Sequence, residues 1–126
     1  MKPASILLVE DDATTAQATS TLLELGGHRV VWSPSIEAAC FQMLPPSIPF
    51  DLLLLDLGLG VDRGEDLVKY ATKAEIPLPP ILIVSAQLPE RCSRVAREIK
   101  AAGVLSKPHS AQELLQAIEQ AIAPNA

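Results

Sequence analysis

Residues 6–12 read Ile-Leu-Leu-Val-Glu-Asp-Asp, an aliphatic run that leads straight into three carboxylates. Three further apolar runs also lead into a reactive polar group, at Asp56, at Ser85 and at Lys107. Continuous apolar runs of this kind predict strands that are covered on both faces, as in a parallel sheet. The carboxyl ends of parallel strands lie along one edge of the sheet, where ligands bind. The sequence therefore predicts a cleft that combines carboxylates, a hydroxyl and an ammonium group.

The composition fits one globular domain with an aliphatic core. The chain has 126 residues, of which 48% are hydrophobic and only 3% aromatic, and we expect residues 1–126 to form a single domain. The net charge of −5 argues against a nucleic-acid surface, since such surfaces are basic. No apolar run approaches the ~20 residues of a membrane helix, and no signal peptide is visible. We therefore expect a soluble, cytoplasmic protein, with Cys40 and Cys92 as small buried side chains rather than a disulfide.

Hydrophobic periodicity alternates between strand and helix along the chain. Strands are predicted at 5–9, 28–32, 51–55, 81–84 and 103–106, and each is followed by a helix. The second and fifth strands are shorter or mixed in character, which suits the edges of a sheet. Right-handed crossovers then favour an α/β fold, a doubly wound (βα)5 three-layer sandwich with a parallel five-stranded sheet of order 2-1-3-4-5.

Local patterns predict the helix beginnings and one flexible loop. Asp12 is expected to cap the first helix, and the two glycines of the loop 58–61 predict that this loop is mobile. Three further helix starts are predicted, by Ser33-Pro34 as a cap followed by proline and by Asp62-x-x-Glu65 and Ser110-x-x-Glu113 as capping boxes.

The acidic cluster predicts a divalent cation site. Carboxylates that share a site repel one another and raise each other's pKa, a conflict that a hard cation relieves. Magnesium prefers oxygen ligands and uses one or two carboxylates together with water and phosphate oxygens. Asp11 and Asp56 are the expected direct ligands, Glu10 is expected to act through water, and the backbone carbonyl of Gly58 could complete the set.

The same cleft predicts phosphoryl transfer to a carboxylate. Asp56 is the best nucleophile, because a carboxylate can form an aspartyl phosphate when a metal screens its charge. Lys107 supplies a positive charge that can pair first with the carboxylate and then with the phosphoryl group. Ser85 can donate a hydrogen bond to a phosphoryl oxygen. His28 and His109 lack the helical setting of a phosphate-carrying histidine and are expected at the surface.

These residues resemble the receiver domain of two-component response regulators, with 6–12, Asp56, Ser85-Ala86 and Lys107-Pro108 carrying the resemblance over the whole chain. The family implies the same fold and strand order. It implies Mg²⁺ as cofactor, Glu10 and Asp11 as metal-binding acids, and Asp56 as a phosphoacceptor that assists its own phosphorylation and dephosphorylation rather than a conventional enzyme. Ser85 becomes the switch hydroxyl and Lys107 the lysine that pairs with phosphate. Gly64 matches a glycine that often follows the phosphorylation loop.

The resemblance also implies features of conformation and partners. It implies a cis Lys107–Pro108 peptide bond and a histidine kinase or histidine phosphotransfer protein as phosphodonor. The fourth helix, fifth strand and fifth helix form the expected switching face for a dimer or effector contact. Arg91, Arg94, Arg97 and Lys100 are the expected basic residues of that face, with a solvated helix face as the alternative.

Three positions depart from the family pattern. Val104 stands where an aromatic residue is usual, Gly60 where a proline is common, and His109 where an aromatic often follows Lys-Pro. Because Val104 is short and stiff at χ1, activation is expected to depend on Ser85 and the segment that follows it, up to Glu90.

Three alternatives share the topology. A pseudo-receiver would bind partners without taking phosphate, but it would be expected to lack the aspartate or the lysine. A flavodoxin-like cofactor binder would need a phosphate cradle after the first strand, where residues 10–12 are acidic and would repel phosphate. A haloacid-dehalogenase-like phosphatase would need a second aspartate at the position of Gly58.

Overall fold

The computed structural model describes residues 3–45, 49–59 and 62–123. Its strands are β1 (Ser5–Val9), β2 (Arg29–Ser33), β3 (Leu52–Leu55), β4 (Gly58–Leu59), β5 (Asp62–Arg63), β6 (Ile81–Ser85) and β7 (Gly103–Ser106). Its helices are α1 (Ala13–Leu25), α2 (Ile36–Met43), α3 (Asp66–Lys73), α4 (Pro89–Ile99) and α5 (Ala111–Ile122). Within these ranges, no helix is both long and apolar enough to cross a bilayer.

A parallel five-stranded sheet organises the fold, in the order β2-β1-β3-β6-β7. This is the predicted order once the short antiparallel pair β4-β5 is set aside. The central strands β1, β3 and β6 are buried along their whole length, whereas the edge strands β2 and β7 alternate or are partly exposed. The continuous apolar runs therefore mark the central strands, as the sequence predicted.

The two faces of the sheet bury separate hydrophobic clusters. Leu7, Leu53 and Ile83 point to one face and pack with residues of α2, α3 and α4. Their neighbours along the strands, such as Leu8 and Leu54, point to the other face and pack with α1 and α5. This alternation follows from the two-residue period of a strand, and it produces the predicted three layers.

Two of the predicted helix beginnings are wrong. Ser33 does not cap α2, because it is the last residue of β2; the cap is Ser35, whose hydroxyl accepts a hydrogen bond from the Ala38 amide at 3.1 Å. Asp62-x-x-Glu65 is not a capping box either. Asp62 pairs with Leu59 in the β4-β5 hairpin, and α3 begins only at Asp66 without a side-chain cap.

Of the other local predictions, the two remaining helix caps are confirmed and the mobile loop is not. The Ser110 capping box is present in full, and Asp12 caps α1 by accepting a hydrogen bond from the Thr15 amide. Residues 58–59 form a strand rather than a mobile loop, and the remainder of that predicted loop, 60–61, lies outside the described residues. The fourth helix ends at Ile99, with Lys100 in the left-handed conformation after it.

Candidate functional site

The predicted polar groups lie at the carboxyl edge of the sheet. Glu10 follows β1, Asp56 follows β3, Ser85 is the last residue of β6 and Lys107 follows β7. The sheet order places β1, β3, β6 and β7 side by side, so residues that are up to 97 positions apart in the chain come within hydrogen-bonding distance. The topology therefore assembles the cleft that the sequence predicted.

Lys107 ties the two sides of this cleft together. Its ammonium Nζ donates to Glu10 Oε1 at 2.8 Å and to Asp56 Oδ2 at 3.1 Å. Burial opposes the charge of Lys107, but the two carboxylates outweigh that effect and raise its pKa above the ordinary value. A charged lysine is therefore held beside Asp56 at all physiological pH values. The Lys107–Pro108 peptide bond is cis, as the resemblance implied.

Three carboxylates converge in the same place. Glu10, Asp11 and Asp56 each offer an oxygen, and these oxygens lie within 4.8 Å of one another. Glu10 is buried, Asp56 is half-buried and Asp11 is exposed. Burial is the main reason that the pKa of Glu10 is raised; Lys107 opposes this rise and Asp56 adds to it. An oxygen-only donor set that includes a desolvated carboxylate fits a hard divalent cation.

Asp12 stands apart from this cluster. Its side chain accepts hydrogen bonds from the amide and hydroxyl of Thr15, and these bonds lower its pKa. The acidic run 10–12 therefore divides into two members of the cluster and one helix cap, as predicted from the sequence.

The backbone around Asp56 is held on both sides. The amide of Gly58 donates to Asp56 Oδ1 at 3.0 Å. Gly64 packs against the other side, since a β-carbon at that position would lie 2.3 Å from the Asp56 carbonyl oxygen. The φ angle of Gly64 is not in the left-handed region, so glycine is needed there for space rather than for conformation.

Ser85 begins a chain of contacts that leaves the cleft. Its buried hydroxyl accepts a hydrogen bond from the Gln87 amide at 3.2 Å. The Gln87 side chain contacts Nε of Arg91. The guanidinium of Arg91 in turn pairs with the buried Glu65, just before α3, at 3.0 Å. This series of contacts from Gln87 through Arg91 to Glu65 was not predicted. In the sequence Glu65 has the spacing of a capping box and Arg91 belongs to a row of basic helix residues, and no local pattern links either of them to Gln87.

Trp32 is a second feature that was not predicted from the sequence. The indole Nε1 donates to the backbone carbonyl of Glu10 at 2.6 Å, while the Glu10 amide donates to the Ser33 carbonyl at 3.2 Å. The end of β2 therefore fixes the backbone of a cluster residue. The available signal was the single tryptophan of the chain, placed at the polar end of a predicted strand.

Several expectations about surface residues need correction. His28 is buried, not exposed, and its Nδ1 accepts a hydrogen bond from the Ala4 amide at 3.1 Å. His109 is partly exposed, in agreement with its expected place at the surface. The side chain of Val104, on β7, is 39% exposed. Arg91 and Arg94 line a cleft toward α3, so their expected place on the face shared with β7 and α5 is wrong.

The structure is an α/β domain with carboxylates and a lysine at the carboxyl edge of its parallel sheet. Comparison with known proteins assigns its family. A model of the response regulator receiver domain matches residues 6–119, and the chain belongs to this family. The family consists of signalling regulators in two-component systems rather than of classical enzymes.

Individual relatives agree with this assignment. Regulatory protein VirG of Agrobacterium tumefaciens (strain 15955) is 30% identical over 118 residues, which cover 93% of this chain and 43% of VirG. Response regulator protein FleR of Pseudomonas aeruginosa is 32% identical over 115 residues, 91% of this chain and 24% of FleR. The chain thus spans less than half the length of these two curated relatives. The non-phosphorylated HemR receiver domain of Leptospira biflexa superimposes with a TM-score of 0.83 at 34% identity, covering 99% of this chain and 98% of the solved HemR domain.

Proposed function

We propose that residues 1–126 form one receiver domain that is phosphorylated on Asp56 in a Mg²⁺-dependent reaction, within a histidine-to-aspartate phosphorelay in the cytoplasm. The observation that carries the proposal is the position of the Lys107 ammonium, 3.1 Å from Asp56 Oδ2 and 2.8 Å from Glu10 Oε1. A lysine held in this way can compensate charge on the phosphoryl group as well as on the carboxylate.

The chemistry is displacement at phosphorus. An Asp56 carboxylate oxygen attacks the phosphoryl group of a phosphohistidine on a histidine kinase or phosphotransfer protein. The phosphorus–nitrogen bond breaks as the acyl phosphate forms, and the released imidazole takes up a proton. Lys107 pairs with the transferred group, and Ser85 donates its hydroxyl hydrogen to a phosphoryl oxygen. Water later attacks the phosphorus and returns the free carboxylate and inorganic phosphate.

The metal site belongs to this proposal. Glu10, Asp11, Asp56 and the backbone carbonyl of Gly58 would hold Mg²⁺, with Asp11 and Asp56 as direct ligands and Glu10 acting through water. The ion would supply charge compensation for the attacking carboxylate and the phosphoryl oxygens. The oxygen-only donor set within 4.8 Å supports this assignment.

Phosphorylation is best tested with acetyl phosphate, which supplies the phosphoryl group without a partner protein. We expect intact-mass spectrometry to detect one added phosphoryl group in the presence of Mg²⁺ and none after EDTA treatment. Asp56→Asn should not be labelled. The control variant Asp66→Asn, which changes an aspartate on the surface of α3, should be labelled like the wild type. Equal labelling of wild type and Asp56→Asn would contradict the assignment, and no labelling of either would favour the pseudo-receiver.

We further propose that phosphorylation changes the conformation of the segment from Ser85 to Glu90 and of the face formed by α4, β7 and α5. When the Ser85 hydroxyl turns toward the phosphoryl group, the hydrogen bond that it accepts from the Gln87 amide is lost. Amide chemical shifts with and without beryllofluoride, a phosphoryl mimic, test this step. Changes should extend through residues 86–107. Changes confined to residues 10–12 and 56–58 would mean that the domain accepts phosphate without switching.

A further inference from the structure

Basic residues are concentrated between α3 and α4. The chain has ten lysines and arginines and a net charge of −5. Half of those basic residues line one cleft, together with three carboxylates. The charged residues of this α3–α4 cleft are Arg63, Lys69, Lys73, Arg91, Arg94, Glu65, Asp66 and Glu98.

Ion pairs within the cleft leave an excess of positive charge. Arg91 is paired with Glu65 at 3.0 Å, and Lys69 with Asp66 at 3.7 Å. Among the residues whose side chains are described, the other three cations have no carboxylate within 4.0 Å, and Glu98 is the one acid of the cleft outside an ion pair. These three cations are Arg63, Lys73 and Arg94.

The size and floor of the cleft define what could fill it. Its volume is about 970 Å³, far more than a single phosphate or sulfate occupies. The base is apolar, with Val95 buried and Val68 and Ile99 partly buried, and Tyr70 is 60% exposed at the side. A ligand complementary to this cleft combines apolar side chains with several negative charges.

The overall charge of the protein favours a protein ligand over a nucleic acid. Outside the cleft, the residues whose side chains the structure describes include eleven acidic and four basic ones, so a long polyanion such as DNA would be repelled by most of the surface. A short acidic segment needs to meet only the cleft itself. Such a segment can also bury leucine or phenylalanine side chains on the valine and isoleucine floor, as amphipathic helices do in apolar grooves.

We propose that the α3–α4 cleft binds an acidic, amphipathic segment of a partner protein, with apolar side chains on the floor and carboxylates against the three cations. Asp56, Ser85, Lys107 and the acidic cluster are not among the described residues that line the cleft. The proposal goes beyond phosphorylation and does not require it, and the test uses the unphosphorylated protein.

The test probe is a synthetic helical peptide with leucines on one face and glutamates on the other, titrated into ¹⁵N-labelled protein at about 0.15 M salt. We expect shifts concentrated in residues 63–73 and 91–99, with a dissociation constant of about 0.1–1 mM. Arg94→Glu should weaken binding about tenfold. Arg97→Glu is the matched control, because it makes the same charge change one turn further along α4 at an exposed residue outside the cleft, and it should change affinity less than twofold.

Four results would contradict the proposal, and a variant peptide tests the role of the apolar floor. No shifts in the cleft at millimolar peptide would mean that it binds no such segment, and equal weakening by Arg94→Glu and Arg97→Glu would mean that attraction is nonspecific. A peptide with serines in place of the leucines should bind much more weakly; undiminished binding would refute the role of the apolar floor. Tighter binding of a single-stranded oligonucleotide would identify a nucleic-acid surface. Sedimentation showing a dimer that Arg94→Glu dissociates would identify a second copy of the chain as the occupant.

Discussion

Replacing Gly64 with alanine should displace the backbone of Asp56, the proposed phosphoacceptor, because residue 64 packs directly against it. The β-carbon would lie 2.3 Å from the Asp56 carbonyl oxygen and 2.9 Å from the Leu57 Cα. Ordinary contact begins at 3.4 Å, so the backbone must move by roughly 1 Å. Because both obstacles are backbone atoms, no side-chain rotation can relieve the clash.

The expected cost of Gly64→Ala is about 1–3 kcal/mol of unfolding free energy, as for other insertions into packed regions. The rate of phosphorylation should fall further, by about 10- to 100-fold, since displacements near 1 Å in a reacting group have effects of this size. Urea unfolding measures the first quantity, and intact-mass time courses with acetyl phosphate measure the second.

Gly103→Ala is the matched control for this experiment. Its β-carbon would meet only the tip of the Leu82 side chain, at 3.3 Å. Gly103 is the first residue of β7, at the end of the strand opposite the carboxyl edge where Asp56 lies. We expect the control to keep the wild-type phosphorylation rate. If Gly64→Ala left both the unfolding free energy and the rate unchanged, the close approach of residue 64 to Asp56 would not exist in solution.

Two further predictions concern the acidic run and the last helix. Asp11→Ala should weaken Mg²⁺ binding much more than Asp12→Ala in calorimetric titration, whereas Asp12→Ala should lower stability through loss of the α1 cap; the reverse order of Mg²⁺ affinities would overturn the assignment of the two residues. The pKa of Glu113 is lowered because the Ser110 amide and hydroxyl hydrogen-bond to it, so its ionised form stabilises the folded state above the ordinary glutamate pKa, and this contribution is lost as pH falls through the lowered value. Glu113→Gln should remove that part of the acid dependence of thermal unfolding, and identical profiles for the two proteins would refute the capping-box contribution.

The sheet could be predicted from sequence because its signals are local and redundant. The runs of β1, β3 and β6 are apolar at every position, so burial on both faces is visible without any knowledge of partners. The site residues then followed from topology, since a parallel sheet brings the carboxyl ends of its strands to one edge. Asp56 and Lys107 were identified in this way although they are 51 positions apart.

The errors occurred where a local pattern competed with a distant contact. Asp62 and Glu65 have the spacing of a capping box. In the structure, however, Asp62 pairs with Leu59 in a hairpin, and the Glu65 side chain forms an ion pair with Arg91. His28 has no local sign of burial; its place is decided by the Ala4 amide, 24 residues away. A short polar motif is compatible with several environments, and tertiary contacts select among them.

Tertiary contacts also determine which route could carry a conformational change away from Ser85 after phosphorylation. At position 104 an aromatic ring could move between exposed and buried positions, but valine has no such range, and the side chain is 39% exposed on β7. The connected polar groups lie instead on the other side of Ser85, where Gln87 contacts Arg91 and Arg91 pairs with Glu65. Movement of the Ser85 hydroxyl would reposition the Gln87 amide first. Because Arg91 joins α4 to the beginning of α3, that displacement would reach the α3–α4 cleft as directly as it reaches β7.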